Sequence, residues 1–321
     1  MLVTSGASCP RREIPSTPLQ SAFAGPPTTG EVIRHVNANS VAIRSLRARG
    51  ASVSVPGTRS LRAELAIERP SRLRLKADAT LIGPVLDLGS NDDLFWMWTR
   101  QADSPSVYFC RHDQFYESSA RQVLPVEPTW LISALGIVEL DPLGQHSGPV
   151  SAGPGKLELR SVISTPEGAL TRVLILHDTQ GWVLEQHLYD AQQQLLATSL
   201  ASQHRHDAAT GVALPHRVEI RLPPAAMSFV LDIDRYELNQ LDSQNWQMWQ
   251  MPQPRGYPLT DLASPNFRLS RPLAMGGGEG SNSATPRVHT GPSPAMSVPE
   301  TAPRPRWDRR RSRRIRHLFG R

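Results

Sequence analysis

The sequence predicts a mainly β protein (α+β), an antiparallel sheet curved so that amphipathic helices pack in or over its concave face. Three observations carry this. From residue 51 onward, apolar side chains recur with a period of two through a succession of short segments, the signature of strands with one wet face. Two stretches, 29–47 and 128–138, interrupt that period with helical spacing. The third is "LFWMW" at 94–98, which sets large apolar side chains on consecutive positions, so that both faces of one strand need cover. Burying one aromatic side chain stabilises by roughly 1.5–3 kcal/mol, and the covers the sequence offers are the two helices. A curved sheet holding them on its concave side, with an apolar ligand beside them, meets the demand.

Residues 1–27 contain five prolines and no apolar period, and are expected to be a disordered tether. Thr28 and Glu31 have capping-box spacing, in which hydroxyl and carboxylate satisfy each other's backbone N–H at a helix start. Val32, Ile33, Val36, Ile43 and Leu46 then give a helix over 29–47. Leu61, Ala63, Leu65 and Ile67 alternate with Arg62, Glu64 and Glu68, and after the turn at Pro70, Leu73, Leu75 and Ala77 alternate with Arg72, Arg74 and Lys76. Further strands are expected at 84–90, 94–100 and 106–112, with Asn91, Asp92 and Asp93 turning the chain before the aromatic strand. Pro128 suits a first helical turn, and Trp130, Leu131, Ala134, Leu135 and Val138 mark one face of a short helix. A loop at 144–155 precedes strands at 156–164, 169–177, 181–189, 194–202, 214–222 and 227–236. The folded domain is placed at 28–262, and 271–321, rich in Gly, Pro, Ser and Arg, is expected to be disordered.

The net charge of +6 belongs to that tail, which holds 11 arginines against Glu279, Glu300 and Asp308. The rest of the chain is close to neutral, so no argument from charge to nucleic acid applies to the folded part. The closing "RPRWDRRRSRRIRHLFGR" interleaves arginines with Trp307, Ile315, Leu318 and Phe319, which suits an anionic membrane surface better than nucleic acid. Two cysteines, Cys9 and Cys110, exclude a disulfide framework.

Catalytic constellations are absent from the sequence. It has no GxSxG, HExxH, complete P-loop or glycine fingerprint. His204 and His206 share a strand face with Asp207 nearby, but lack a third metal ligand and are read as polar strand-end residues. Asp232 and Asp234 are read as the solvated face of a strand whose Met227, Phe229, Leu231 and Ile233 point inward. The chain is therefore not expected to be an enzyme, and neither metal nor cofactor is expected.

Two resemblances add to this. "GASC" at 6–9 resembles the end of a bacterial lipoprotein signal, which implies lipidation at Cys9 and a periplasm-facing anchor in the cell envelope; the chain as written, with no hydrophobic stretch ahead of it, implies a cytoplasmic protein instead. The helix at 29–47, "ELAIERPSRLRL" at 64–75, "LDLGSNDDLFWMW" at 86–98 and the helix at 128–138 together resemble the LolA/LolB-like periplasmic lipoprotein carriers, closest over 59–136. That resemblance implies an open antiparallel half-barrel with helices as a lid, holding an acyl chain of a lipid or a lipidated protein. It assigns Arg69 as the latch that holds the lid. The cavity is expected to draw on Leu65, Ile67, Leu73, Leu75, Phe95, Trp96, Trp98 and Phe109, with Trp130, Leu131 and Leu135 from the lid. The rival expectations are a structural or sensor protein whose hollow is filled by its own side chains, and binding of nucleic acid or an anionic surface through the tail.

Overall fold

The structure is a computed structural model that describes residues 20–57, 59–100, 106–207, 209–242 and 245–267. All of them belong to the first of two compact units, Met1–Gly278. Cys9 and the tail at 271–321 lie outside the described residues.

The chain opens with α1 (Thr29–Val41), started by the expected capping box: the Thr28 hydroxyl accepts from the Glu31 N–H, and the Glu31 carboxylate accepts from the Thr28 N–H at 2.7 Å. The helix ends six residues earlier than the spacing predicts. Ile43 and Leu46 fit a helical period, yet the chain turns at Ala42 and enters β1 (Ser45–Ser54), a strand not expected from the sequence. The reason is a bulge between Ala48 and Ala51 around Gly50, whose φ is +63°, which breaks the alternation a strand would show.

From β1 the chain meanders through β2 (Leu61–Glu68), β3 (Arg72–Ala79), β4 (Gly83–Ser90), β5 (Leu94–Thr99) and β6 (Val107–Arg111), each pairing antiparallel with its predecessor. Asn91 makes the β4–β5 turn, its side-chain oxygen accepting from the N–H groups of Asp93 and Leu94. The chain then crosses the sheet through α2 (Ala120–Val123) and α3 (Pro128–Ala134). It resumes at the far edge with β7 (Gln145–Ser151), in a segment expected to be loop, and returns inward through β8 (Lys156–Thr165), β9 (Gly168–His177), β10 (Val183–Tyr189) and β11 (Leu195–Ser202). A small separate hairpin, β12 (Arg205–His206) and β13 (Ala213–Leu214), precedes β14 (Arg217–Leu222) and the long β15 (Met227–Leu238), which pairs with β1 and joins the two meanders. Finally β16 (Leu259–Asp261) adds to the β6 edge in parallel. The result is a mixed sheet of fourteen strands that is not closed, since its end strands β16 and β7 do not pair.

The helices lie on one face of this sheet. Val32, Ile33 and Val36 of α1 are buried against Leu159, Leu174, Leu176 and Val183. The C-terminal end of α3 is fixed to β10 and β11 by side chains reaching its last carbonyls, Gln186 to Ser133 at 2.5 Å and Ser199 to Ala134 at 2.8 Å. The other face is covered over β3–β6 by a segment that sequence periodicity did not reveal. Trp249 is buried, and Met251 and Tyr257 pack against Trp96, Trp98 and Val107. The consecutive apolar residues of β5 are thus answered from two sides: Phe95 and Met97 meet the helices, Trp96 and Trp98 meet the chain at 249–257.

Candidate functional site

The expected lining residues do not enclose one hollow. Leu65, Ile67, Leu73, Leu75 and Phe95 do face the helices and join Trp130, Leu131 and Leu135 in one buried cluster. Yet the space left between β4–β5 and the helices, bounded by Leu88, Phe95, Met97, Val123, Leu124 and Leu131, is about 10 Å³. That is at most the room one water needs, about 10–15 Å³, so no hydrocarbon chain fits there. These side chains are core. Trp96, Trp98 and Phe109 stand on the opposite face: in β5, where side chains alternate, Trp96 and Trp98 cannot share a surface with Phe95, and Phe109 of β6 stands opposite Trp96. Trp96 is fully buried, its ring lying over Gly89 and its indole N–H donating to Asp87 at 3.0 Å.

A roomier space than this one lies at the other half of the sheet. A cleft of about 310 Å³ lies between α3 with its flanking segments and the strands β8–β11. Trp130, Ile132 and Ile137 form one wall; Ile163, Leu170, Leu188 and Leu196 form the other. The rim is charged, with Arg69, Arg121, Glu127, Glu139, Glu167 and Asp190, and Arg172 sits in the β9 wall. Of the residues expected at the site, Arg69 and Trp130 line this cleft.

Arg69 is well placed to tie elements together. Its Nη1 donates to the carbonyls of Ser40 at 2.7 Å and Ile43 at 3.2 Å, at the end of α1, and its Nη2 pairs with Glu139, just beyond α3. One guanidinium therefore joins the β2–β3 turn, the first helix and the segment following the third. Most rim charges are similarly committed. Arg121 pairs with Glu167. The Tyr116 hydroxyl bonds Glu127, and burial, then that carboxylate, push the phenol above its ordinary range. Asp190 accepts from the N–H groups of Gln192 and Gln194 in its own turn.

Arg172 is different. Its Nη1 donates to the Glu139 carbonyl at 3.0 Å, but among the described residues it has no carboxylate partner, and its Nε is shut from solvent without any hydrogen-bond acceptor. Burial pushes its pKa down from the ordinary value, though a guanidinium stays charged at any working pH. Among the described residues the indole N–H of Trp130 is likewise buried without an acceptor. Sequence reasoning missed Arg172, although a signal was present. Leu170, Arg172, Leu174 and Leu176 share one face of β9, and Arg172 stands opposite Ser161 and Leu188. A lone arginine in an otherwise apolar period-two series is the anomaly that marks it.

The histidine and aspartate pairs take structural roles. His204 stacks on Trp182, with centroids 5.2 Å apart at 9°, and meets the Val183 carbonyl at 3.1 Å, at the edge of a second cleft of about 410 Å³ that His35 and His206 also line. Asp207 accepts from the N–H groups of Ala209 and Thr210 and from the Thr210 hydroxyl. Among the described residues, no group of three His, Cys, Asp or Glu side chains is placed to hold a metal. Asp232 pairs with Arg217 across β14–β15 at 2.6 Å. Burial pushes His204 down to about 4. The unfolded chain, with an imidazole near its ordinary value of 6.5, therefore binds more protons between those values, and stability falls as pH drops from 6.5 to 4. Discounted for partial exposure, the loss is about 2 kcal/mol. Denaturant titrations at pH 7 and pH 4.5 check this: His204→Phe, which keeps a ring on Trp182, should lose less stability on acidification than the wild type, and equal losses would refute the assignment.

No family model matches the chain, and no curated protein does. Solved structures resemble it at low identity. A putative outer membrane lipoprotein-sorting protein domain from Vibrio parahaemolyticus is 9% identical over 68% of this chain and 94% of its own, with a TM-score of 0.45. A DUF1329 family protein from Desulfovibrio piger is 12% identical over 68% and 96%, with a TM-score of 0.45. A LolA superfamily protein from Nitrosomonas europaea is 11% identical over 68% and 97%, with a TM-score of 0.39.

Proposed function

We propose that this domain binds one hydrocarbon chain of a lipid or a lipidated protein, without bond chemistry, in the cleft between α3 and β8–β11, the sheet curling round its helices as an open half-barrel. The single observation that carries the reading is the cleft itself. Its walls are Ile132, Ile137, Ile163, Leu170, Leu188 and Leu196, and its volume is about 310 Å³, against about 10 Å³ between β4–β5 and the helices. That volume is at the lower end of the roughly 300–1,000 Å³ usual for ligand pockets, which suits one chain. Each methylene moved from water into such a place contributes about 0.8 kcal/mol, so a chain of ten or more carbons is held with no covalent step. Arg69 would control entry, because it joins the end of α1 to the segment after α3 at the cleft's rim. We place the domain in the cell envelope, tethered through Cys9, a location in keeping with a lipid cargo. No helix among the described residues is long and apolar enough to cross a membrane.

Organic extraction of the purified full-length protein followed by mass spectrometry should release a long-chain lipid, and delipidated protein should take up methyl dodecanoate. Leu188→Trp, which fills the cleft, should abolish that uptake while leaving the fold intact by circular dichroism. Protein that yields no lipid and takes up no ester rules the reading out, and favours a self-filled structural module.

A further inference from the structure

Resting on the binding reading above, we propose that the cleft selects an anionic head group, a carboxylate or phosphate at the end of the chain, and that the Nε edge of Arg172 is the group that receives it. The argument begins with what the guanidinium lacks. Arg69 and Arg121 have carboxylate partners at the same rim; Arg172, on the apolar wall between Leu170 and Leu174, has among the described residues only the Glu139 carbonyl on Nη1. A buried donor left unmet costs on the order of 1–3 kcal/mol, and more when charged, so a ligand acceptor that meets it gains that much. The planar Nε–Nη2 edge is the side of a guanidinium that grips two oxygens of a carboxylate or phosphate together. Trp130, whose indole N–H is also buried without an acceptor among the described residues, lines the same cleft. The neighbouring carboxylates do not compete for Arg172: Glu139 is paired with Arg69, Glu167 with Arg121, Glu127 is bonded to Tyr116, and Asp190 closes its own turn.

The ligand class that follows is a single-chain amphiphile with its anionic end at β9 and its tail along Ile163, Leu188 and Leu196. A neutral lipid would leave the arginine unmet, and a cationic one would be repelled.

Calorimetric titration of the delipidated full chain at pH 8 with dodecanoate, dodecyl phosphate and methyl dodecanoate tests this, the first two arms separating a carboxylate source from a phosphate source. At least one anion should bind about tenfold or more tightly than the ester, the equivalent of a hydrogen bond to a charged group. Arg172→Gln should bring that ratio to about one while leaving the ester's affinity within twofold. A ratio near one in the wild type, with the ester bound, overturns the head-group assignment and leaves the chain-binding reading standing; failure of all three ligands overturns both. A ratio that survives in Arg172→Gln places the anion elsewhere, on the arginines of 271–321 for example, and also overturns it. Should that variant not fold, nitrogen-15 spectra of the wild type decide. The arginine Nε–H resonance missing from the Arg172→Lys spectrum should move on adding an anion and stay still on adding the ester; a resonance unmoved by either refutes the assignment.

Discussion

Asp87→Ala should destabilise the domain by about 3–5 kcal/mol, the cost of removing one partner of a buried ion pair and leaving the other charge uncompensated. Asp87 and Arg74 pair at 2.6 Å with each side chain 10% exposed. Three further bonds depend on the same carboxylate and guanidinium: the Trp96 indole N–H donates to Asp87, and Arg74 Nη1 donates to the carbonyls of Met248 and Gln250 at 2.6 and 3.1 Å. The arginine also lies over the Trp96 ring, 5.5 Å from its centroid. The pair thus helps attach the 246–257 segment to the face of β3–β5, together with the Asn91 amide donating to the Trp249 carbonyl. Urea denaturation of Asp87→Ala and of the double variant Arg74→Met, Asp87→Leu distinguishes a trapped charge from lost attachment. The double variant, which removes both charges and fills the space, should recover much of the loss. A single variant within 1 kcal/mol of the wild type would show that the pair is not sealed as described.

That segment also explains what was legible in the sequence and what was not. The strands from β2 to β6, from β8 to β11, and β14 and β15 were readable because Leu65 and Ile67, Leu73 and Leu75, or Val218 and Ile220 alternate with charged neighbours, and alternation is a local property of a half-buried strand. The capping box of α1 was equally local. What escaped depends on interruptions or on distant contacts. β1 is disguised by the bulge at Gly50, and β7 by Gly148 and Pro149, at which its register with β8 shifts. The cover over Trp96 and Trp98 comes from residues 150 positions further on, with no period of their own. Hence the aromatic strand was read correctly as needing two covers, while the second cover was assigned to the wrong element. The candidate site shows the same division. Arg69 was found through a motif, and its contacts do join the helices. The cleft itself is built by Ile163, Leu170, Leu188 and Leu196, ordinary members of strand alternations, and it becomes a site only through the tertiary placement of α3. Arg172 alone carried a mark in the sequence, as a charge on the buried phase of β9.

Trp96→Ala should cost about 3–5 kcal/mol, the range for truncating a buried Trp, and it should change the meaning of a neighbouring position. Trp96 pairs with Gly89 across β4–β5, and its ring lies so close over that glycine that a Cβ there would sit 2.2 Å from Cζ2. Neither ring nor backbone has room to give: the indole is held by its bond to Asp87 on one side and by Phe109 and Met251 in the same apolar cluster on the other. Gly89→Ala in the wild-type background should therefore destabilise by about 1–3 kcal/mol through overpacking alone. Gly89 is an ordinary extended residue with no positive φ, so backbone strain contributes nothing to that figure. In the Trp96→Ala background the clash is gone, and Gly89→Ala should be neutral or slightly stabilising, since alanine in a strand loses less chain entropy than glycine. The double-mutant cycle should therefore give a coupling of about 1–3 kcal/mol, read from chemical denaturation of the four proteins. Additive effects would mean that the tryptophan does not lie on the glycine, and that the outer face of β5 is packed in some other way.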